Sequence, residues 1–269
     1  MTPLSDDPAV LLLRLAGPLQ SWGDASRFNR RDTRSEPTKS GVVGLLAAAL
    51  GRDREADISD LAALTMAVRA DQPGSLLRDY HTVSDYRGLP LKQTGVNAKG
   101  IQKPTSPTKH THVTVRYYLQ DAAFLVGLTG QAALIAELAT AIRRPVHPLA
   151  LGRRSCPPTQ PIVLGTHTGP LLTAMQNQTW LAADAARAEL LRAAGHTPAQ
   201  VDLPVTIDDD HGTAVRHDSP ISFALRGRRY AERRVRHLTL RVPSGFPNPD
   251  PDPDNRSGTG HDPFALLGW

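Results

Sequence analysis

The chain alternates between apolar runs of strand length and stretches where apolar residues recur every three or four positions. Val10 to Ala16 is an apolar run between Asp6-Asp7-Pro8 and Gly17-Pro18, and it predicts a buried strand. Gly17 to Pro37 is polar and predicts a long loop. Ser40 to Leu50 predicts a helix, with Thr38 or Ser40 as N-cap and Gly51 just past its end. Ile58 to Leu64 has the pattern of a short second helix, and Thr65 to Ala70 that of a strand. Tyr80 to Tyr86 leads into a segment rich in Gly, Thr and Pro, which reads as a projecting ribbon. Thr111 to Leu119 and Ala122 to Leu128 predict two strands joined at Gln120-Asp121. Gln131 to Arg144 predicts an amphipathic helix with Leu134, Ile135, Leu138 and Ile142 on one face. Arg143 and Arg144 suit the dipole of its last turn, and Pro145 stops it. Pro161 to Leu164 predicts a further short strand.

This order is strand, helix, strand, then ribbon, strand, helix, strand. It matches a βαββαβ unit with an insertion, an α+β fold of the ferredoxin-like or RRM-like kind. The unit occupies residues 1–165, with the insertion at about 87–116. Residues 166–243 read as a smaller, β-rich C-terminal part with a weaker pattern. Leu181 to Ala194 predicts a helix there, and Val215 to Leu225 and Val235 to Val242 predict strands. Residues 244–269 are rich in Pro, Asp and Gly and are expected to be disordered.

Composition narrows the class. Of 269 residues 40% are hydrophobic, enough for a buried core. No apolar run approaches the roughly 20 residues of a membrane span. Met1 to Pro8 carries two Asp and no Lys or Arg, unlike a secretory signal. The single cysteine, Cys156, excludes an intrachain disulfide and a multi-Cys zinc site. A cytoplasmic location is expected. No GxxxxGK(S/T) loop is present, which argues against a P-loop nucleotide site. Asp208-Asp209-Asp210-His211 reads more simply as a solvated turn than as a metal cluster, so no cofactor or metal is expected.

Charge changes the picture most. Lys and Arg number 31 against 26 acids. The segment from Gly245 onward holds four of those acids and one base, which leaves a body of 30 basic and 22 acidic residues. A basic body suits a polyanion partner. Tyr86 to Gln120 contains no acid and carries Arg87, Lys92, Lys99, Lys103, Lys109 and Arg116. Arg143, Arg144, Arg153 and Arg154 flank a Pro-rich turn. Arg226 to Arg241 holds seven arginines and the single acid Glu232. Arg27, Arg30, Arg31, Arg34 and Lys39 form a fourth cluster. Any one cluster is explained by a solvated face; four in one chain point to phosphate contacts.

Five blocks of sequence carry a resemblance. Leu13 to Gly23 (LRLAGPLQSWG) resembles the opening strand and loop of the CasD family, and Pro37 to Leu46 (PTKSGVVGLL) its first helix. Leu77 to Val83 with Asp85 to Gly88, and Arg116 to Ala122, resemble the entry and exit of that family's thumb insertion. Leu151 to Pro157 (LGRRSCP) resembles a late signature loop. The blocks occur in family order across about residues 10–165. The resemblance implies a RAMP-superfamily subunit of the type I-E CRISPR surveillance complex called Cascade. It implies a chain that grips the five-prime handle of the crRNA, without catalysis, in antiviral defence. The implied partners are that handle, the backbone subunit towards which the thumb projects, the large PAM-reading subunit and, indirectly, target DNA.

In that role the candidate RNA contacts are Trp22, Arg27, Lys39, Ser40, Tyr80 and His81, with Lys99, Lys103, Lys109, Arg116, Arg153 and Arg154. Trp22 is either a base-stacking platform or the core anchor of its loop. Lys39 and Ser40 open a helix whose free N–H groups attract phosphate. Arg153 and Arg154 either meet RNA or pair with Asp79 or Asp85, at least one being assigned to RNA. Tyr80 and His81 would line the handle groove. The rival is a metal-independent endoribonuclease that processes precursor RNA, with His81, Lys109, His110, His112 and Tyr80 as its acid, base and cation. Neighbours on a strand point to opposite faces, which weakens the Lys109-His110 pair.

Overall fold

The computed structural model describes residues 8–23, 29–85 and 110–246. The first strand, β1 (Pro8–Ala16), is followed by the short β2 (Leu19–Gln20) and β3 (Arg30–Arg31), helix α1 (Lys39–Leu50) and the single turn α2 (Ser59–Ala62). Then come β4 (Thr65–Gln72), β5 (Ser75–Asp85), β6 (His110–Gln120), β7 (Ala123–Gln131) and α3 (Ala132–Arg143). The remainder is β8 (Val163–Thr168), α4 (Leu171–Asn177), α5 (Asp184–Ala194), β9 (Gln200–Asp208), β10 (Ala214–Ser222) and β11 (Arg229–Pro243). The fold is mixed α+β. None of these helices is long and apolar enough to cross a membrane.

Seven strands form one sheet in the order β10-β11-β9-β4-β7-β1-β8, every pair antiparallel. A second sheet is built on β6, which pairs with β2, with β5 and, in parallel, with β3. β1 lies between β7 and the edge strand β8 in the large sheet, and its continuous apolar run reflects burial on both faces. Leu11, Leu13 and Leu15 face α1 and α3, joining Val42, Leu46, Ile135 and Leu138 in the main core. Val10 and Leu12 face the other way, against Leu171 and Met175 of α4. Each such side chain contributes about 1.5–3 kcal/mol by leaving water.

That second face is closed by a buried ion pair as well as by α4. Arg69 on β4 makes two hydrogen bonds of 2.7 Å to Asp71, and both side chains are fully buried. The same guanidinium donates to the carbonyls of Met175, Gln178 and Thr179. Asp71 in turn accepts from Leu181 N–H, and its carbonyl accepts from Trp180 Nε1. Burial pushes the Asp71 carboxyl up, and Arg69 offsets part of that. An arginine buried mid-strand is tolerable only when every donor is matched in this way.

Four of the five sequence blocks meet at one spot. Ser21 N–H donates to Leu151 O at 3.0 Å, and Ser21 Oγ donates to Tyr117 O at 3.1 Å. Gln20 Nε2 donates to the carbonyls of Leu15 and Ala122. A Cβ on Gly41 would lie 2.7 Å from the ring of Trp22, so only glycine lets α1 approach that loop. Gly152 has φ +87°, and a Cβ there would overlap the carbonyl of Ser21. Gly152→Ala is therefore expected to lower the unfolding free energy by roughly 2 kcal/mol or more. Thermal unfolding measures this, and an unchanged melting temperature would contradict the packing described.

Candidate nucleic-acid interface

The loop contacts just described place a groove of about 870 Å³ beside α1. One wall is the face of β6 and β3 that carries Arg116 and Arg31. A second is the 147–154 loop, with His147, Arg153 and Arg154. The floor is the side of α1 that runs from Ser40 through Gly44 to Ala48. Arg52 and Arg54 close one end, and Phe223, Arg228 and Tyr230 the other side. Among the described residues, seven arginines line the groove against two acids, Asp32 and Asp53. Field lines from like charges in a concave site add up, which favours a polyanion.

The arginines are not equivalent. Arg52 is held by Asp60 through two hydrogen bonds of 2.5 Å. Arg153 is half-buried and stacks on Tyr118, 4.8 Å from the ring centroid. It donates to the carbonyls of Tyr117, Arg31 and Asp32, so it clips three segments together and is already satisfied. Arg154 is exposed, and among the described residues nothing pairs with it. Arg116 is half-buried, and its Nε is buried without a hydrogen-bond partner. Its cross-strand neighbour is Asp79, yet no ion pair forms. A buried donor left open in an otherwise satisfied wall is a natural seat for an anionic acceptor.

Of the two roles open to Trp22 the structure shows the core anchor, and Lys39 is placed differently from its expected role. Trp22 is only 1% exposed, with its indole N–H donated to Gln20 Oε1 and its ring against Gly41. It anchors its loop and has no free face for a base. Lys39 is buried, and its Nζ donates to Asp208 at 2.9 Å, so its charge is neutralised by this chain. The helix N-terminus is occupied as well. Thr38 Oγ1 accepts from Gly41 N–H, and Asp218 accepts from Lys39 N–H at 2.8 Å. An internal carboxylate thus sits where a phosphate was expected.

Ser40 is buried, with its hydroxyl toward Thr38, and borders the groove. Tyr80 is 63% exposed but lies opposite Val115, on the other face of the β5–β6 ribbon from Arg116. His81 shares the Arg116 face, and its Nδ1 lies 3.3 Å from Thr114 Oγ1. Arg27, Lys99, Lys103 and Lys109 lie outside the described residues, as do the side chains of His110 and His112. Among the described residues no group of three or more His, Cys, Asp or Glu is placed to hold a metal ion.

Sequence reasoning missed the charge network beneath α1. Arg233 of β11 donates to Asp218 at 2.7 and 3.0 Å and also to Asp208. Asp208 further accepts from Met66 N–H. Glu36 joins Arg216 at 2.8 Å and Thr206 at 2.9 Å. Burial works to raise the Asp218 pKa, but the hydrogen bonds and charge of Arg233 outweigh it and hold the carboxyl below its usual range. Arg233 is raised in turn, with burial again opposing. Asp218 lies 179 residues from Lys39 in the chain and Asp208 169, and nothing local announces them.

The fold and groove define an α+β protein with an arginine-lined channel suited to a polyanion. The family model described as "CRISPR-associated protein (Cas_Cas5)" matches residues 10–236, and the chain belongs to that family. The Cascade subunit CasD of Escherichia coli (strain K12) is 43% identical over 177 residues, covering 59% of this chain and 71% of that protein. A solved structure described as a Cas protein covers 88% of this chain and 100% of its own, with 40% identity and a TM-score of 0.63. A chain of a CRISPR RNA-guided surveillance complex aligns with 34% identity and a TM-score of 0.69, covering 87% of this chain and 91% of its own.

The network predicts a pH signature. Asp218→Asn is expected to cost about 3 kcal/mol near neutral pH by leaving a buried cation partly unpaired. The Asp218 pKa falls on folding, so its contribution is full above the usual carboxylate range and is lost as pH drops through its lower folded value. In urea unfolding at about pH 7 and about pH 3, the gap between wild type and Asp218→Asn should narrow on acidification. A gap independent of pH would contradict the assignment.

Proposed function

We propose that this chain is the crRNA-holding subunit of a Cascade-type surveillance complex, seating the five-prime handle in the groove beside α1. The observation that carries the reading is Arg116, which lines an arginine-rich channel and whose buried Nε has no hydrogen-bond partner, with Arg154, unpaired among the described residues, on the same channel. Single-stranded RNA meets such a channel with its phosphates while its bases splay outward. The partners are the crRNA and the other Cascade subunits, including the backbone and PAM-reading subunits, with target DNA reached indirectly through guide pairing. The kinship to a Cascade subunit supports this reading.

We read β8-β1-β7-β4 with α1 and α3 as a ferredoxin-like βαββαβ unit within residues 1–165. The antiparallel strand order and the two helices on one face support it. The β5–β6 ribbon is then the base of the thumb at about 87–116, and residues 166–243 are the smaller C-terminal part that extends the sheet. The sheet face that RRM modules leave open for bases is covered by α4 and locked by Arg69. RNA is therefore assigned to the loop-built groove, not to the sheet.

The subunit is proposed to be non-catalytic. His81, the described member of the rival catalytic set that shares a face with Arg116, faces Thr114 and not a carboxylate. Co-expression with the partner subunits and a repeat-containing transcript tests both readings. With Arg116→Glu and Arg154→Glu combined, RNA retained at about 0.15 M salt should fall on the order of tenfold. His81→Ala should leave RNA length unchanged. New RNA ends that vanish with His81→Ala would establish the endoribonuclease instead.

A further inference from the structure

The β10–β11 turn, with the first residues of β11, also lines the groove, and the roles assigned above leave it unused. Its position is set by three contacts. The ring of Phe223 sits 3.8 Å from where a Cβ on Gly44 would be, so the turn lies across the middle of α1. Leu225 N–H donates to Glu55 Oε1 at 3.0 Å, tying the turn to the loop after α1. Ala224 N–H donates to Ser222 Oγ at 3.1 Å. Gly227, at φ +103°, then reverses the chain into β11. Register shifts between Arg216 and Ser219 and between Pro220 and Ser222 twist the hairpin, a device that re-aims side chains at a strand end.

What this delivers to the groove is Tyr230, 38% exposed, with Arg228 two residues before it on the same side. Among the described residues, the Tyr230 hydroxyl makes no hydrogen bond and no carboxylate pairs with Arg228. An aromatic face beside an unpaired guanidinium is the arrangement that holds one nucleotide of a single strand, base on ring and phosphate on cation. The other groove aromatics are less suited: Trp22 is buried, and Phe223 is occupied against α1.

We propose that Tyr230 and Arg228 form a nucleotide station in the groove that Arg116 also lines, where one base of the bound RNA stacks on Tyr230 and an adjoining phosphate meets Arg228. The station rests on the reading of the groove as an RNA channel, and it supplies the stacking surface that Trp22 does not.

The test measures the affinity of a labelled repeat-derived RNA for the full chain, alone and within the co-expressed complex. Arg116→Glu serves as the control for the groove itself. Tyr230→Ala is expected to weaken binding about tenfold while Tyr230→Phe stays close to wild type. Arg228→Ala should weaken it less and reduce the slope of log affinity against log salt by about 0.7. Thermal unfolding checks that each variant is folded. Loss with Arg116→Glu but none with Tyr230→Ala overturns the station and leaves the groove reading standing. Equal loss with Tyr230→Ala and Tyr230→Phe also overturns it, since the hydroxyl and not the ring would then carry the contact. No loss with either Arg116→Glu or Tyr230→Ala overturns the station and the groove together.

Discussion

The first turn of α1 is the point on which the rest of the site depends. It is held from below by Asp218 on the Lys39 N–H, by Asp208 on the Lys39 ammonium, and by Arg233 bridging both carboxylates. It is held from the side by Trp22, whose ring fills the space a side chain on Gly41 would need. Buried charges of this kind are costly to desolvate and stabilise only as a matched set. Their return is positional. They join the helix to β9, β10 and β11 at the same time, so the groove floor and the turn bearing Tyr230 are set by one arrangement.

A consequence is that the most basic-looking residues divide into two kinds. Lys39, Arg69, Arg153 and Arg233 are consumed by internal acids and carbonyls. Arg116, Arg154 and Arg228 are left over and line the same channel. The internal set builds a rigid wall, and the remaining set gives that wall its charge. Preorganised donors need no rearrangement when an anion arrives, which is how a modest number of contacts can hold a single strand.

Much of the fold was readable because local pattern and tertiary role agree. The apolar run of β1 is buried on both faces, and α1 ends at Gly51 in the left-handed conformation with Thr38 as its cap. α3 shows its stripe and stops before Pro145. β9 was missed because its short alternation contains Pro204, which argues against a strand. α4 was missed because seven residues without a side-chain cap leave little signal. β11 begins at Arg229, six residues before the expected start, because its arginine-rich opening reads as a turn. At the site, Arg116 and Arg154, singled out by charge and by the family resemblance, both line the groove. Of the two roles open to Trp22 the structure shows the loop anchor, and Lys39 is spent on an internal partner that folding brings in, Asp208 from 169 residues away. Net charge marks a residue as able to bind phosphate, but only the folded neighbourhood decides whether it is free to do so.

The central claim is that RNA runs along the groove between β6, the 147–154 loop and the β10–β11 turn. Photo-crosslinking tests it most directly. A guide RNA carrying 4-thiouridine is assembled into the complex and irradiated, and the modified peptides are identified by mass spectrometry. The account predicts adducts on peptides containing Arg116, Arg154 and Tyr230, and none on α5 or on the buried Trp22. Adducts confined to the Tyr80 face of the ribbon, or to the sheet face beneath α4, would contradict it.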